Sequence, residues 1–122
     1  MTQYPTSYAE ALTTLKGKAH KRINANTRLE HYRIAADKIV VILHNTPIVC
    51  FEPSGKISLN SGGWHTVTTK RRINQCLPEG YSIRQRNFKW DILGPNASAF
   101  EFVDGFSFNV EQGLGLNAKV NA

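Results

Sequence analysis

The residues that most constrain the fold are the five at positions 39–43, which read Ile-Val-Val-Ile-Leu. Because neighbouring side chains of a strand point to opposite faces, this run predicts a central strand that is covered on both sides. Two further short apolar segments, 48–51 and 57–59, follow turn-forming residues at 44–47 and 53–56. These links are too short for a parallel crossover, so the segment is predicted to fold as an antiparallel meander.

Two short helices are predicted, one before and one after this meander. Residues 7–10, Ser-Tyr-Ala-Glu, have the spacing of a capping box and predict a helix over about residues 8–16. Thr66 or Thr68 is expected to cap a second helix that runs to about Cys76. Both helices are too short to be stable alone, so each is expected to dock an apolar side on the sheet.

The last third of the chain is again typical of strands. Residues 81–86 and 88–92 alternate between apolar and polar side chains, and Asn87 between them is a turn residue. In 100–108, the dipeptide Asp104-Gly105 lies between alternating aromatic residues, which is the signature of a type I′ hairpin.

These elements predict an α+β fold: an antiparallel sheet of six to eight strands, in a meander and hairpins, with two short helices packed on it. The 122 residues suit a single domain, expected over 1–110. Residues 111–122 are small and polar with little periodicity, and they are expected to form a loosely ordered C-terminal tail.

The net charge of +6 is unevenly distributed along the chain. Residues 1–90 contain fourteen Lys and Arg against five Asp and Glu, a net charge of +9, whereas residues 91–122 have a net charge of −3. A basic body of this kind attracts polyanions, so DNA or RNA is the first partner to consider. The alternative is that surplus cations only keep a small protein in solution.

No motif points to catalysis, to a metal or to a cofactor. Cys50 and Cys76 have no CxxC spacing and are expected to be buried free thiols in a reducing cytosol. The four histidines are scattered, and no nucleophile lies in a recognisable catalytic motif. No apolar run has the length of a membrane span, and the first residues lack the pattern of a signal peptide, so a cytoplasmic protein is expected.

A glycine turn precedes the second predicted helix. Gly62 and Gly63 would let the backbone direct N–H groups at an anion, and Thr66 and Thr68 would add hydroxyl donors. This interpretation predicts an anion-binding turn, although the spacing is not that of a P-loop. The alternative is structural: the glycines supply positive φ angles and a threonine caps the helix.

A cluster of cations is the sharpest charge feature. The predicted nucleic-acid site combines five cations with one ring for base stacking: Lys70, Arg71, Arg72, Arg84, Arg86 and Trp64. This patch forms only if the strand of Arg84 and Arg86 lies near the second helix. The alternative is a solvated helix face and a polar sheet face, with Trp64 packed as a lid on the core.

The chain resembles a group of small bacteriophage and prophage proteins. Their shared stretch reads roughly I-x-L-N-S-G-G-W-x-T-x-T-T-K-x-R-I-N and corresponds here to residues 57–74. An H-x-T-x-I-V-x-F segment before it corresponds to residues 44–51, although Pro47 replaces an expected acidic residue. The resemblance covers about residues 33–108 and implies a phage-encoded accessory protein in the host cytoplasm, without implying a particular activity.

Three functions are consistent with these features. The first is nucleic-acid binding through the basic patch. The second is inhibition of a host or defence protein by direct binding, and the third is sequestration of a small signalling nucleotide at the glycine turn. An enzyme is not expected, and both a monomer and a homodimer are consistent with the sequence.

Overall fold

The computed structural model describes residues 4–35, 37–111 and 113–114. In this part of the chain, eleven elements follow one another in the order α1 (Tyr8–Leu15), β1 (His20–Asn24), β2 (Thr27–His31), β3 (Ile39–Leu43), β4 (Thr46–Phe51), β5 (Lys56–Leu59), α2 (Val67–Gln75), β6 (Ser82–Arg86), β7 (Lys89–Leu93), β8 (Ala99–Glu101) and β9 (Phe106–Asn109).

The strands form two antiparallel sheets. Six strands pair in the order β1-β2-β3-β4-β5-β9, and three pair in the order β6-β7-β8. The predicted α+β class, with antiparallel strands and two short helices, is confirmed. The separation of β6–β8 into a sheet of their own is not part of the prediction.

The central strand is β3, as the apolar run predicts. All five of its residues are buried. Ile39, Val41 and Leu43 belong to one hydrophobic cluster that also contains residues of both helices and of the smaller sheet. Val40 and Ile42 point to the opposite face and are flanked there by side chains of β2 and β4.

Side-chain caps fix the start of both helices. The Ser7 Oγ accepts the Glu10 N–H at 3.1 Å, and the Glu10 carboxylate in turn accepts the Thr6 N–H at 2.9 Å, so the return bond reaches one residue further back than in a standard capping box. Thr66, and not Thr68, caps α2, because its Oγ1 accepts the Thr69 N–H at 3.1 Å. The buried residues of α1 and α2 then face the common core.

The predicted Asp104-Gly105 hairpin is wrong. The strands on its two sides lie in different sheets, because β8 pairs with β7 whereas β9 pairs with β5. The Gly105 N–H donates to the Leu59 carbonyl at 2.9 Å, so this dipeptide joins the sheets. Pairing with β5 places Phe106 and Phe108 in the core. A local hairpin would instead pair β9 with β8, whose three residues are all exposed.

The expected tail begins with residues that are partly ordered. Leu114 is buried and packs against Gly94, where an added Cβ would lie only 2.6 Å from the Leu114 Cδ1. Leu114 is therefore packed on the fold, and the loosely ordered tail over 111–122 stays a prediction. Residue 112 and residues 115–122, which the same expectation covers, lie outside the described residues.

Candidate nucleic-acid interface

The three consecutive cations of α2 point in different directions. Successive residues of an α-helix are rotated by about 100°, so Lys70, Arg71 and Arg72 cannot share one face. Arg71 is exposed, and Lys70 is half-buried. The three side chains therefore have separate environments.

Arg72 is held inside the fold. Its Nη1 donates to the Tyr4 hydroxyl and to the Gln75 Oε1 at 2.8 Å, and its Nη2 donates to the Asn26 Oδ1 at 3.3 Å. Its Cζ also lies 4.6 Å from the centre of the Tyr4 ring, which is a cation–π contact. Arg72 thus ties α2 to the N-terminal segment and to the β1–β2 turn, so it is not a free phosphate ligand.

Lys70 lies on the side of α2 that faces the smaller sheet. One turn further along this side, the Asn74 side chain accepts the Ile83 N–H at 2.6 Å and donates to the Ile83 carbonyl at 3.0 Å. The Asn74 amide thus makes the two backbone hydrogen bonds that a neighbouring strand would make at this edge of β6. Arg84 follows Ile83 directly, so this contact places α2 beside the strand that carries Arg84 and Arg86.

Arg84 and Arg86 share a single carboxylate. The Arg84 Nε and the Arg86 Nη2 each lie 3.5 Å from the same Asp91 oxygen. Lys89 is opposite Arg86 in the strand register and has no ion pair among the described residues. We call the exposed or half-buried cations of α2 and of this hairpin, taken together, the cationic surface: Lys70, Arg71, Arg84, Arg86 and Lys89. Asp91 and Glu101 border it on the β8 side.

Trp64 is exposed and lines a cleft of its own, separate from that of the β6 arginines. Its side chain is 63% exposed, so it is not a lid on the core. It lines a cleft of about 500 Å³ with the β3–β4 turn and with Thr66 and Thr68 at the start of α2. The next residue, His65, turns the other way and stacks on Trp90 of β7, with ring centres 4.5 Å apart. Trp64 thus lines one cleft, whereas Arg84 and Arg86 line another.

The glycine turn has no free N–H group for an anion. The Gly62 N–H donates to the Asn60 Oδ1 at 2.6 Å, and the Gly63 N–H donates to the Ser61 Oγ at 3.1 Å. The Asp104 carboxylate accepts the Ser61 N–H at 2.7 Å, which places a negative charge beside the turn. This geometry favours the structural alternative: Gly62 has a φ of 64° and approaches a side chain of β4 closely, Thr66 caps α2, and Thr68 lines the Trp64 cleft.

Sequence reasoning missed the tip of the β6–β7 hairpin. Phe88 was expected to be a strand residue, but it lies in the turn beside Asn87 and is 92% exposed. Arg86 and Lys89 form the last strand pair beneath it. The cation-aromatic-cation order Arg-Asn-Phe-Lys at 86–89 was the available signal.

A second basic region was also missed, and we call it the β1 edge. Its cations crowd into residues 16–22, which read KGKAHKR: Lys16, Lys18, Lys21 and Arg22. All four are exposed, at the end of α1 and along β1, which is an outer strand of the larger sheet. Lysines on an edge strand also discourage pairing with another strand, so this region has a structural explanation as well.

The two cysteines are free thiols, as expected. Burial raises the pKa of Cys76 to about 12, although the nearby Arg72 acts in the opposite direction. Burial likewise raises the pKa of the half-buried Cys50. Both thiols are therefore protonated at neutral pH and are poor nucleophiles.

Within the described part of the chain, no group of three or more His, Cys, Asp or Glu side chains has the arrangement of a metal site. None of the described helices is long and apolar enough to span a membrane.

Comparison with known proteins places the chain in a family. Neither the curated proteins nor the solved structures gave a match. The family model of the Kyanoviridae Gp96 protein, in contrast, matches residues 5–109, which include both helices and all nine described strands. The resemblance to a group of phage proteins is thereby confirmed. The chain belongs to the Kyanoviridae Gp96 protein family, a family of phage proteins.

Proposed function

We propose that this phage protein binds nucleic acid through the cationic surface and acts in the host cytoplasm. The observation that supports the proposal is that the Asn74–Ile83 contact holds α2, which carries Lys70 and Arg71, against the edge of the β6–β7 hairpin, which carries Arg84, Arg86 and Lys89. Arg72 is not part of this site because it binds Tyr4 and Asn26. Trp64 lines a separate cleft, and the N–H groups of the glycine turn are already bonded.

The ion pairs on this surface are compatible with phosphate binding. Arg84 and Arg86 are exposed and are held by a single carboxylate at 3.5 Å. Although the Asp91 side chain is only 15% exposed, both arginines are largely in solvent, and ion pairs at a protein surface contribute about 0–1 kcal/mol. A phosphate can therefore replace Asp91 as the partner of one guanidinium while the other arginine keeps the carboxylate. Arginine also binds phosphate with two parallel hydrogen bonds.

The proposal is tested by fluorescence anisotropy with nuclease-treated protein and labelled single- and double-stranded DNA and RNA. The double variant Arg86→Gln/Lys89→Gln removes two charges from the cationic surface and leaves Arg84 paired with Asp91. Its matched control, Lys18→Gln/Lys21→Gln, removes two charges from the β1 edge. We expect the first variant to bind at least about tenfold more weakly. Each phosphate contact that is lost also removes the favourable release of a counterion from the nucleic acid.

Two results would refute the proposal. Absence of binding by the unmodified protein at low salt would exclude nucleic acid as the partner. An equal or larger loss in the β1-edge control would show that the cationic surface is not the binding site.

A second candidate function is inhibition of a host or defence protein. The observation that favours it is the exposure of Trp64 and Phe88, since aromatic side chains and arginines are enriched at the energetic centres of protein interfaces. This function predicts that a discrete host protein co-purifies after nuclease treatment and is lost in Trp64→Ala or Phe88→Gly.

A further inference from the structure

The tip of the β6–β7 hairpin has an unfavourable residue for its backbone conformation. Asn87 has a φ of 52° and Phe88 a φ of 65°. Two central residues with positive φ define a type I′ turn, in which glycine is strongly preferred at the second position. A bulky residue with positive φ is an outlier, because its Cβ approaches the following carbonyl oxygen.

The phenylalanine ring does not compensate for this strain by packing. Phe88 is 92% exposed, and it has no ring contact with any aromatic residue in the described ranges. It contrasts with Phe106 and Phe108, which are buried in the core. A strained backbone that presents an unpacked ring points to a role outside the fold.

The surroundings of the ring are cationic. Arg86 and Lys89 precede and follow the turn and are directly opposite each other, and Arg84 lies on the same face two residues earlier. An apolar ring next to cations is complementary to nucleic acid, in which a flat base lies close to phosphates. An apolar partner protein would leave these charges without counter-charges.

We propose that Phe88 stacks on an unpaired base while Arg86 and Lys89 bind the flanking phosphates, so that the hairpin tip selects single-stranded nucleic acid. This inference rests on the proposed function and specifies its partner. An unpaired base is required because the bases of a duplex are already stacked on both faces, whereas every base of a single strand has an accessible face. The two-residue turn is narrow enough to present one ring to one base.

The test compares Phe88→Gly and Phe88→Trp with the unmodified protein. Affinities are measured for a single-stranded oligonucleotide and for the corresponding duplex over a range of salt concentrations. We expect Phe88→Gly to lose at least about fivefold in affinity for the single strand, whereas Phe88→Trp keeps that affinity. The dependence on salt is expected to be unchanged in both, because the phosphate contacts remain. Ile34→Ala, at another highly exposed apolar residue, is the control and is expected to bind normally.

The outcomes separate this inference from the proposed function. Single-strand binding that is equally strong in Phe88→Gly would overturn the stacking role and leave nucleic-acid binding in place. Absence of binding by the unmodified protein would overturn both. A parallel loss for single strand and duplex would also contradict the inference, because the ring would then not select unpaired bases. The melting temperature of Phe88→Gly, expected not to fall, excludes unfolding as the cause of a loss.

Discussion

Asp104 accepts two hydrogen bonds from Ser61, from its N–H at 2.7 Å and from its Oγ at 3.1 Å. The pair joins the end of β5 to the connection between β8 and β9, across 43 residues of sequence. It therefore fixes the point at which the chain passes from the smaller sheet back to the larger one. The Asp104 carboxylate also places a negative charge beside the glycine turn. This charge favours a structural role for the turn over anion binding.

The first prediction concerns this pair. Asp104→Ala should lower the free energy of unfolding by about 1–3 kcal/mol, because the buried Ser61 N–H and hydroxyl would lose their acceptor. Urea denaturation measures the change. Glu79→Ala, at an exposed carboxylate without a described hydrogen bond, is the control and should change stability by less than about 0.5 kcal/mol. Equal stability of the two variants would contradict the assigned role.

Arg71 and Arg72 offer a comparison between neighbours. Arg72→Ala should destabilise the fold by about 1–3 kcal/mol, since Tyr4 and Asn26 lose a charged donor. Arg71→Ala should have an effect within about 0.5 kcal/mol, because its side chain is exposed. Conversely, only Arg71→Ala should weaken nucleic-acid binding without loss of stability. Thermal melting would contradict this account if the two variants melted at the same temperature.

Phe88→Gly should stabilise the protein. Relief of the left-handed backbone is worth about 1–2 kcal/mol, and the greater freedom of glycine in the unfolded chain offsets about 0.4–1 kcal/mol of it. The expected net gain is therefore roughly 0.5–1 kcal/mol, measured by urea denaturation. Gly62→Ala is the counterpart: its φ of 64° and an added Cβ 2.5 Å from the Thr46 Cγ2 predict destabilisation. A less stable Phe88→Gly variant would show that the ring supports the fold after all.

Stability should also fall at high pH because of Cys76. Its pKa is raised from 9.0 to about 12 in the folded protein, so above pH 9 the unfolded chain releases a proton that the folded chain keeps. The free energy of unfolding should then decrease by up to about 1.4 kcal/mol per pH unit until the folded pKa is reached. The measurement is the stability difference between the unmodified protein and Cys76→Ala at pH 7, 9 and 10.5. A difference that does not change with pH would contradict the burial of an ionisable thiol.

Local signals made much of the fold predictable. The five apolar residues of β3 identify a strand covered on both faces. In each helix, the capping side chain and the N–H group that it accepts lie within four consecutive residues. The error at Asp104-Gly105 is of another kind, because a turn signature does not specify which strands will pair. Here β9 pairs with β5, about fifty residues earlier in the chain, and only the tertiary structure shows this pairing.

The candidate site was only partly predictable for the same reason. Sequence spacing gives the rotation of 100° between neighbouring helix residues, but not which neighbour each side chain meets. The role of Arg72 depends on Tyr4, which is 68 residues away. The position of α2 beside the strand of Arg84 and Arg86 depends on the Asn74–Ile83 contact, which has no sequence signature.

The most direct test of the central claim is the slope of log affinity against log salt for single-stranded nucleic acid. If Arg86 and Lys89 bind phosphates, the slope of Arg86→Gln/Lys89→Gln should be smaller in magnitude by about 1.4, or roughly 0.7 for each lost contact. The Lys18→Gln/Lys21→Gln control should retain the slope of the unmodified protein. An unchanged slope in the first variant, or the larger change in the control, would contradict the assignment of nucleic-acid binding to the cationic surface.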